Sequence, residues 1–213
     1  VEGRTVTWSR AASAEAERRG FLLPGRGSTP DPLGFVRNQS MEVEKVMQLE
    51  ELTYAGHSAV LLSANDGTVV GIDPWLEGNP RCPEQLKNPA RLDLIVLTHG
   101  HDDHASDTVR LAKRYGSTVA ATFELAQLLI GEGVPEQKVV ALNRGGTAKI
   151  NGLYVTLTTA FHSSSFTTSK GPAYAGEACG AVVGDGKVSV FHAGDTALFS
   201  DLALIGRRYR PQV

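Results

Sequence analysis

Cysteine is scarce in this chain of 213 residues, which holds only Cys82 and Cys179, far apart and outside any CxxC pair. A disulfide framework and a cysteine zinc knuckle are therefore excluded, and a reducing cytoplasm is the expected compartment. The chain also lacks the roughly 18 consecutive apolar residues of a membrane span, and its N-terminus lacks a basic segment followed by an apolar signal core. We expect a cytoplasmic protein with no membrane partner.

An excess of positive charge is also absent, because 21 Lys and Arg residues oppose 23 Asp and Glu residues for a net charge of -2. This balance gives no electrostatic basis for binding a long polyanion, so no nucleic-acid partner is expected. With 41% hydrophobic and 21% charged residues, the composition is that of an ordinary globular protein with one good-sized core. The oligomeric state has no signal in the sequence.

The first 40 residues have scattered charges, several Gly and Pro residues and little periodicity, and Met41 follows them. This composition predicts a flexible N-terminal extension over residues 1–40 and a single globular domain over residues 41–213. One hypothesis is that Met41 is the natural start and that the preceding residues come from upstream translation. The other is a genuine disordered extension.

Short strand-like runs begin near Gln48 and are separated by turn signals such as Asn65-Asp66-Gly67. Residues 93–97 (DLIVL) form a continuous apolar run typical of a strand that is buried on both faces. Helical spacing over residues 105–115 and 123–130 alternates with further strands, and a hairpin signal stands at Gly184-Asp185-Gly186. The rhythm predicts an α/β sandwich whose functional site lies along one edge.

A dense group of potential metal ligands follows the apolar run, in the sequence THGHDDH. It contains His99, His101, Asp103 and His104, which a single tight loop can turn toward one point. Imidazole nitrogen and carboxylate oxygen are ligands that zinc, iron and manganese accept, and a catalytic site leaves a position open for water. The alternative is that these residues are solvated loop residues or helix caps.

Two later residues follow predicted strands in the same manner. His162 lies in AFHSSSF, and Asp195 lies in HAGDT beside Gly194, where the chain can bend sharply. Alone, each residue is more often structural than a ligand, because histidines pack at surfaces and aspartates occupy turns. Their positions after strands indicate that both residues belong to the same site.

These residues together resemble the metallo-β-lactamase superfamily, from about Gln48 to the C-terminus. The segments TYAGHSAVLL, GIDPWLEGNP and FHAGDTALFSDLALIG are similar to the branch of L-ascorbate-6-phosphate lactonase and its uncharacterised metal-dependent hydrolase relatives. The resemblance implies an αββα sandwich that binds one or two divalent ions, zinc first, with manganese or iron as alternatives. It implies the following roles: His99, His101 and His162 hold one metal, Asp103 and His104 belong to the second, Asp195 bridges them, and Asp103 also handles protons.

Four further residues are secondary candidates for contact with the ligands or with the substrate, namely His57, Asp73, Asn79 and His192. Asp73 is expected to accept the far N–H of a ligating imidazole, which fixes the tautomer and raises the basicity of the ring. For His57 and His192 the alternative is a hydrogen-bonded structural histidine.

The chain departs from the family pattern at its end, because it stops soon after LFSDLALIG and has no histidine after His192. Family members continue to further strands and to a last histidine of the second metal site. We therefore expect a C-terminally incomplete sandwich, with the second metal site in question.

The expected activity is the hydrolysis of a lactone or ester by a metal-activated hydroxide. Acyl-homoserine lactone cleavage, and hence quorum quenching, is one specific form of this hypothesis. A metal-dependent phosphodiesterase is the nearest alternative, because two metals also suit attack on phosphorus. A non-catalytic metal-binding module is the alternative from a different class.

Overall fold

The computed structural model describes residues 5–7 and 47–213, which belong to one compact unit. The extension expected over residues 1–40 lies outside the described residues, except for Thr5–Thr7, which form a strand at the edge of a sheet. The described part contains two larger sheets, a small hairpin and four α-helices.

The larger sheet has seven strands that follow one another in chain order. They are β1 (Thr5–Thr7), β2 (Leu49–Gly56), β3 (Ala59–Ala64), β4 (Val69–Ile72), β5 (Leu94–Val96), β6 (Thr118–Thr122) and β7 (Val139–Leu142). Strands β1 to β4 pair antiparallel, whereas β4 to β7 pair parallel. The carboxyl ends of β4 and β5 therefore meet at one edge, and this is where THGHDDH begins.

The second sheet is antiparallel and has the strand order β13-β12-β9-β8. Its strands are β8 (Thr147–Ile150), β9 (Leu153–Thr159), β12 (Cys179–Gly184) and β13 (Ser189–His192), while β10 (Ser165–Thr168) and β11 (Gly171–Tyr174) form the separate hairpin. The turn predicted at Gly184-Asp185-Gly186 does join two paired strands. Strands β8, β10 and β11 were not expected, because their short polar sequences have the composition of loops.

The helices are α1 (Asp102–Ala105), α2 (Thr108–Tyr115), α3 (Phe123–Gly131) and α4 (Leu202–Tyr209). The single helix predicted over residues 105–115 is wrong in its start, because the chain becomes helical at Asp102 and is interrupted before Thr108. At this interruption the Asp107 carboxylate accepts hydrogen bonds from the backbone N–H groups of Leu76 and Glu77, both at 2.7 Å. Asp103 and His104 consequently lie on a one-turn helix and not on a loop.

Two buried layers lie on opposite faces of the larger sheet. Ile95 and Leu97 pack in one cluster with helix residues that include Leu111, Leu125 and Leu129. Because side chains alternate along a strand, Leu94 and Val96 point to the other face, and they are equally buried. The central strands of the second sheet contribute further fully buried residues, among them Val155, Leu157, Ala181 and Val183. The predicted αββα sandwich is confirmed.

Among the residues that the structure describes, no helix has both the length and the apolarity needed to cross a bilayer.

Candidate metal centre

The candidate centre forms where four segments leave the strands of the two sheets. Asp73 directly follows β4, His99 follows β5, His162 follows β9, and Asp195 follows β13. Gly100 lets the THGHDDH segment approach β10 and β11, because a Cβ atom there would lie 2.8 Å from the Ser165 carbonyl oxygen. The fold thus gathers side chains that are far apart in the sequence.

Three imidazoles converge through defined nitrogen atoms. His99 Nε2 lies 3.1 Å from His101 Nδ1, and His101 Nδ1 lies 3.3 Å from His162 Nε2. The potential ligand atoms of all three lie within 4.8 Å of one another. His99 is fully buried, whereas the His162 side chain is 33% exposed. This first donor group is therefore anchored in the core and open on one side.

A second donor group lies beside the first and contains His57, Asp103 and His104, with potential ligand atoms again within 4.8 Å of one another. His104 Nε2 is buried and has no hydrogen-bond partner among the residues that the structure describes, and the nearest Asp103 oxygen is 4.0 Å away. A buried polar atom without a partner is costly, so such an atom calls for an explanation. An imidazole nitrogen aimed at carboxylates fits a divalent cation, since these are the donors that zinc accepts.

Asp195 stands between the two donor groups. Its Oδ1 atom lies 3.5 Å from His104 Nε2, and its Oδ2 atom lies 3.8 Å from His162 Nε2. One carboxylate thus presents an oxygen to each group. Gly194 allows the chain to turn just before Asp195. Its φ is 62°, and a Cβ atom on residue 194 would lie 2.8 Å from Thr98 Cβ.

Asp73 lies behind the imidazoles and is completely buried. Its Oδ1 accepts the Thr98 backbone N–H at 2.8 Å, and its Oδ2 accepts the Thr98 hydroxyl at 2.6 Å and His104 Nδ1 at 2.9 Å. An ionised carboxylate can only accept, so His104 carries its proton on Nδ1. The other nitrogen, Nε2, is left with a free lone pair that faces the carboxylates.

Thr98 extends this control to a second imidazole, although Thr98 is not among the site residues predicted from the sequence. Its hydroxyl lies 3.0 Å from His99 Nδ1 and has already given its only proton to Asp73, so His99 Nδ1 must donate. Asp73 therefore sets the tautomer of His104 directly and that of His99 through Thr98. The available signal was a hydroxyl residue immediately before the first histidine, at the end of a buried strand.

The electrostatics of these groups follow from burial and from this network. Burial, with nearby His104, lowers the pKa of His99 from 6.5 to about 4, so the ring is neutral at pH 7. Burial is the largest single influence on Asp73 and opposes its ionisation, but the His104 hydrogen bond and the electrostatic interactions with His192 and His104 together lower the pKa of Asp73. Burial likewise opposes the charged form of His104, but the Asp73 hydrogen bond and the negative charges of the surrounding carboxylates together raise the pKa of that ring, which makes His104 a stronger base than an ordinary histidine.

Asn79 and His192 lie near the centre but bond to backbone groups. The Asn79 side-chain amide donates to the Gly56 and Trp75 carbonyls at 3.0 and 3.1 Å. His192 Nε2 donates to the Ser58 carbonyl at 2.8 Å, and its Nδ1 accepts the Gly194 N–H at 3.1 Å. Both side chains fasten loops that carry the donor residues, and both nitrogens of the His192 ring are already used.

A cleft of about 780 Å³ opens beside His162. Its lining consists of Arg144, Thr159, Ala160, Phe161, His162 and Glu177. The Arg144 guanidinium pairs with Glu177 at 3.1 Å, and the Phe161 ring, 60% exposed, packs edge-on against Phe199. The open side of the first donor group therefore borders a space with one aromatic wall and one ion pair.

Comparison with known proteins first defines the class. Residues 68–212 match the beta-lactamase superfamily domain, so the chain belongs to that superfamily. A solved metallo hydrolase from the hyperthermophilic archaeon Ignicoccus hospitalis KIN4/I is similar, with a TM-score of 0.63 and 34% identity, over 78% of this chain and 68% of that one. The class agrees with the resemblance read from the sequence motifs.

More similar sequences then define the family. A protein of Rubrobacter xylanophilus that bears the name UPF0173 metal-dependent hydrolase is 42% identical over 173 residues, or 80% of this chain and 71% of that protein. A protein of the same name from Myxococcus xanthus is 41% identical over 217 residues, or 100% of this chain and 71% of that protein. The chain belongs to the UPF0173 family of metal-dependent hydrolases.

Proposed function

We propose that this chain holds two divalent metal positions and hydrolyses a lactone or an ester. The first position is assigned to His99, His101 and His162, and the second to Asp103 and His104, with Asp195 shared between them. The observation that carries the proposal is the placement of one Asp195 oxygen toward each donor group, next to the unpartnered His104 Nε2. Zinc is the proposed ion, because neutral imidazoles dominate the donor set.

The bound cations would lower the pKa of water to about 7 and polarise the substrate's carbonyl oxygen. The protein prepares for this chemistry by fixing the tautomers of two ligand imidazoles with hydrogen bonds. Asp73 and Thr98 hold His99 and His104 with their Nε2 lone pairs facing the centre. Because the orientation is set before a substrate arrives, little reorganisation is needed during the reaction.

Asp103 is proposed to handle protons. Its side chain is 45% exposed, and although burial opposes ionisation, nearby His104 and His57 lower its pKa. At neutral pH it is therefore a carboxylate that can accept a proton from the attacking water. The same group can then return the proton to the departing alkoxide, as general acid–base catalysis requires.

The proposed substrate is a small molecule that enters the cleft beside His162. Phe161 offers an apolar surface for an acyl chain or ring, and the Arg144 guanidinium, which is paired with Glu177, offers N–H donors for an oxygen-rich group. An acyl-homoserine lactone and a sugar-phosphate lactone both combine such features with a carbonyl centre. The free, buried cysteines Cys82 and Cys179 are consistent with the cytoplasm as the proposed compartment.

A phosphodiesterase is the second candidate, since Arg144 in the cleft also suits a phosphate oxygen. The two functions differ in the atom attacked, because a lactonase attacks carbon and a phosphodiesterase attacks phosphorus. The ligand group does not itself discriminate between them.

The test is metal content by plasma mass spectrometry on protein purified without added metal, combined with hydrolysis of three substrates. These are an acyl-homoserine lactone, a nitrophenyl ester and bis(nitrophenyl) phosphate, each before chelation, after chelation and after zinc is restored. We expect close to two metals per chain and chelator-sensitive cleavage of the lactone or ester. Cleavage of the phosphodiester alone would favour the second candidate, metal without turnover would favour a binding module, and no metal would refute the proposal.

A further inference from the structure

The turn between β2 and β3 holds His57 in a backbone conformation that histidine rarely adopts. His57 has a φ of 54°, in the left-handed region that disfavours side chains with a Cβ atom. Gly56 before it has a φ of 99°, and a Cβ atom there would lie 2.8 Å from the Arg81 carbonyl. Backbone strain of this kind persists only where surrounding contacts enforce it, and it concentrates at functional sites.

The surrounding contacts do enforce this turn, because three successive carbonyls each accept a side-chain hydrogen bond. Asn79 donates to the Gly56 carbonyl at 3.0 Å, and the Tyr54 hydroxyl donates to the His57 carbonyl at 2.8 Å. His192 donates to the Ser58 carbonyl at 2.8 Å. One side chain of β2 and two side chains from distant segments therefore fix the position of a single exposed turn residue.

The His57 ring is held as firmly as its backbone. It meets Trp75 edge to face with a centroid distance of 5.6 Å, and it meets His104 in the same way at 5.3 Å. Its Nε2 atom lies 2.9 Å from Asp103 Oδ2, and the other Asp103 oxygen lies 4.0 Å from His104 Nε2, for which the described part of the chain supplies no hydrogen-bond partner. The His57 imidazole therefore joins the other donor side chains that surround the unpartnered His104 Nε2 atom.

We propose that His57 is a ligand of the second metal position, together with Asp103, His104 and the shared Asp195. This inference rests on the proposed function and makes it more specific. Together these side chains offer two imidazole nitrogens and two carboxylate oxygens, which are donor types that zinc accepts, and the potential ligand atoms of His57, Asp103 and His104 lie within 4.8 Å of one another.

The competing role for His57 is hydrogen bonding alone, in which Nε2–H positions the Asp103 carboxylate and never binds metal. The variant His57→Gln separates these roles, because a glutamine amide can still donate to Asp103 but has no basic nitrogen. His57→Ala removes both capacities. Ser58→Ala is the matched control, since it alters the same turn at a side chain for which no hydrogen bond is described.

The experiment measures zinc equivalents per chain and the affinity of each equivalent, by titration of the metal-free chain against a chelator of known affinity. We expect two equivalents for the original chain and for Ser58→Ala. In His57→Ala and His57→Gln the first equivalent binds as before, and the second weakens by more than the roughly 100-fold that loss of an outer partner causes. Retention of the first equivalent also shows that both variants are folded.

Four outcomes would overturn the inference. Two equivalents of unchanged affinity in both His57 variants, or restoration of the second equivalent by glutamine, would leave the proposed function intact and remove His57 as a ligand. A single equivalent in the original chain would also remove it, while preserving a one-metal form of the proposed function. Absence of any zinc from the original chain would refute the inference and the proposed function together.

Discussion

Replacement of Asp73 by asparagine tests the tautomer network with a change of almost no volume. In the substituted side chain, the amide oxygen can still accept the Thr98 backbone N–H, and the amide NH₂ then occupies the place of Oδ2. That NH₂ group faces His104 Nδ1 and the Thr98 hydroxyl, both of which donate to Asp73 in the original chain. Each must become an acceptor, so His104 moves its proton to Nε2 and the Thr98 hydroxyl is free to donate to His99.

The expected magnitude follows from this rearrangement. His99 then also carries its proton on Nε2, and metal binding must reverse two tautomers against their hydrogen bonds. Loss of one outer partner of a metal ligand costs 10- to 100-fold in affinity. We therefore expect Asp73→Asn to weaken zinc binding by about 10- to 100-fold, or about 1.4–2.8 kcal/mol, without abolishing it.

The assay is zinc titration against a competing chelator, and nitrogen NMR of the imidazoles reports the tautomers in the metal-free chain. Asp66→Asn is the control, because Asp66 accepts the Thr68 backbone N–H at 2.8 Å in an exposed turn away from the centre. We expect the control to bind zinc like the original chain. Unchanged zinc affinity in Asp73→Asn, with both histidines still protonated on Nδ1, would refute the tautomer argument.

Three further predictions address the ligands, the thiols and the packing around the centre. His101→Ala should lose the first metal and hydrolysis together, measured by metal analysis and turnover, and full metal retention would contradict the ligand assignment. Burial raises the pKa of both Cys82 and Cys179, so a thiol reagent at pH 7.5 should label neither in the native chain and both in denaturant; rapid native labelling would contradict this. Gly194→Ala and Gly116→Ala both place alanine at a left-handed φ, but only at Gly194 does the new Cβ meet atoms at 2.8 Å. Urea unfolding should show Gly194→Ala to be less stable than the Gly116 control by about 1–3 kcal/mol, and equal stability would show that the contact is readily relieved.

Much of the fold could be predicted because its signals are local. The apolar run DLIVL gave a strand buried on both faces, and Gly116 ended α2 in a left-handed conformation. The hairpin at Gly184-Asp185-Gly186 followed from turn residues alone. The hairpin of β10 and β11 could not be predicted in this way, because sequences such as SSSFTTSKGPAY have neither clear alternation nor a run of apolar residues.

The same distinction between local and long-range signals applies to the candidate site. The sequence by itself determined which donors lie close together in the chain. Their short spacing brings them to one place whatever the exact end of the preceding strand, and these donors are His99, His101, Asp103 and His104. It also determined the family, whose motifs are contiguous. The assignment of each ligand to a metal remains a prediction.

Only the tertiary structure decided the partners that meet across the sandwich. The parallel pairing of β4 with β5 places Asp73 beside Thr98, and the β2–β3 turn delivers His57 to Asp103. These relations depend on which strands pair and in which register, and strand pairing joins residues that no local pattern connects. The tautomers of His99 and His104 also depend on the tertiary structure. They follow from the direction of the hydrogen bonds around Asp73, because an ionised carboxylate accepts hydrogen bonds and cannot donate them.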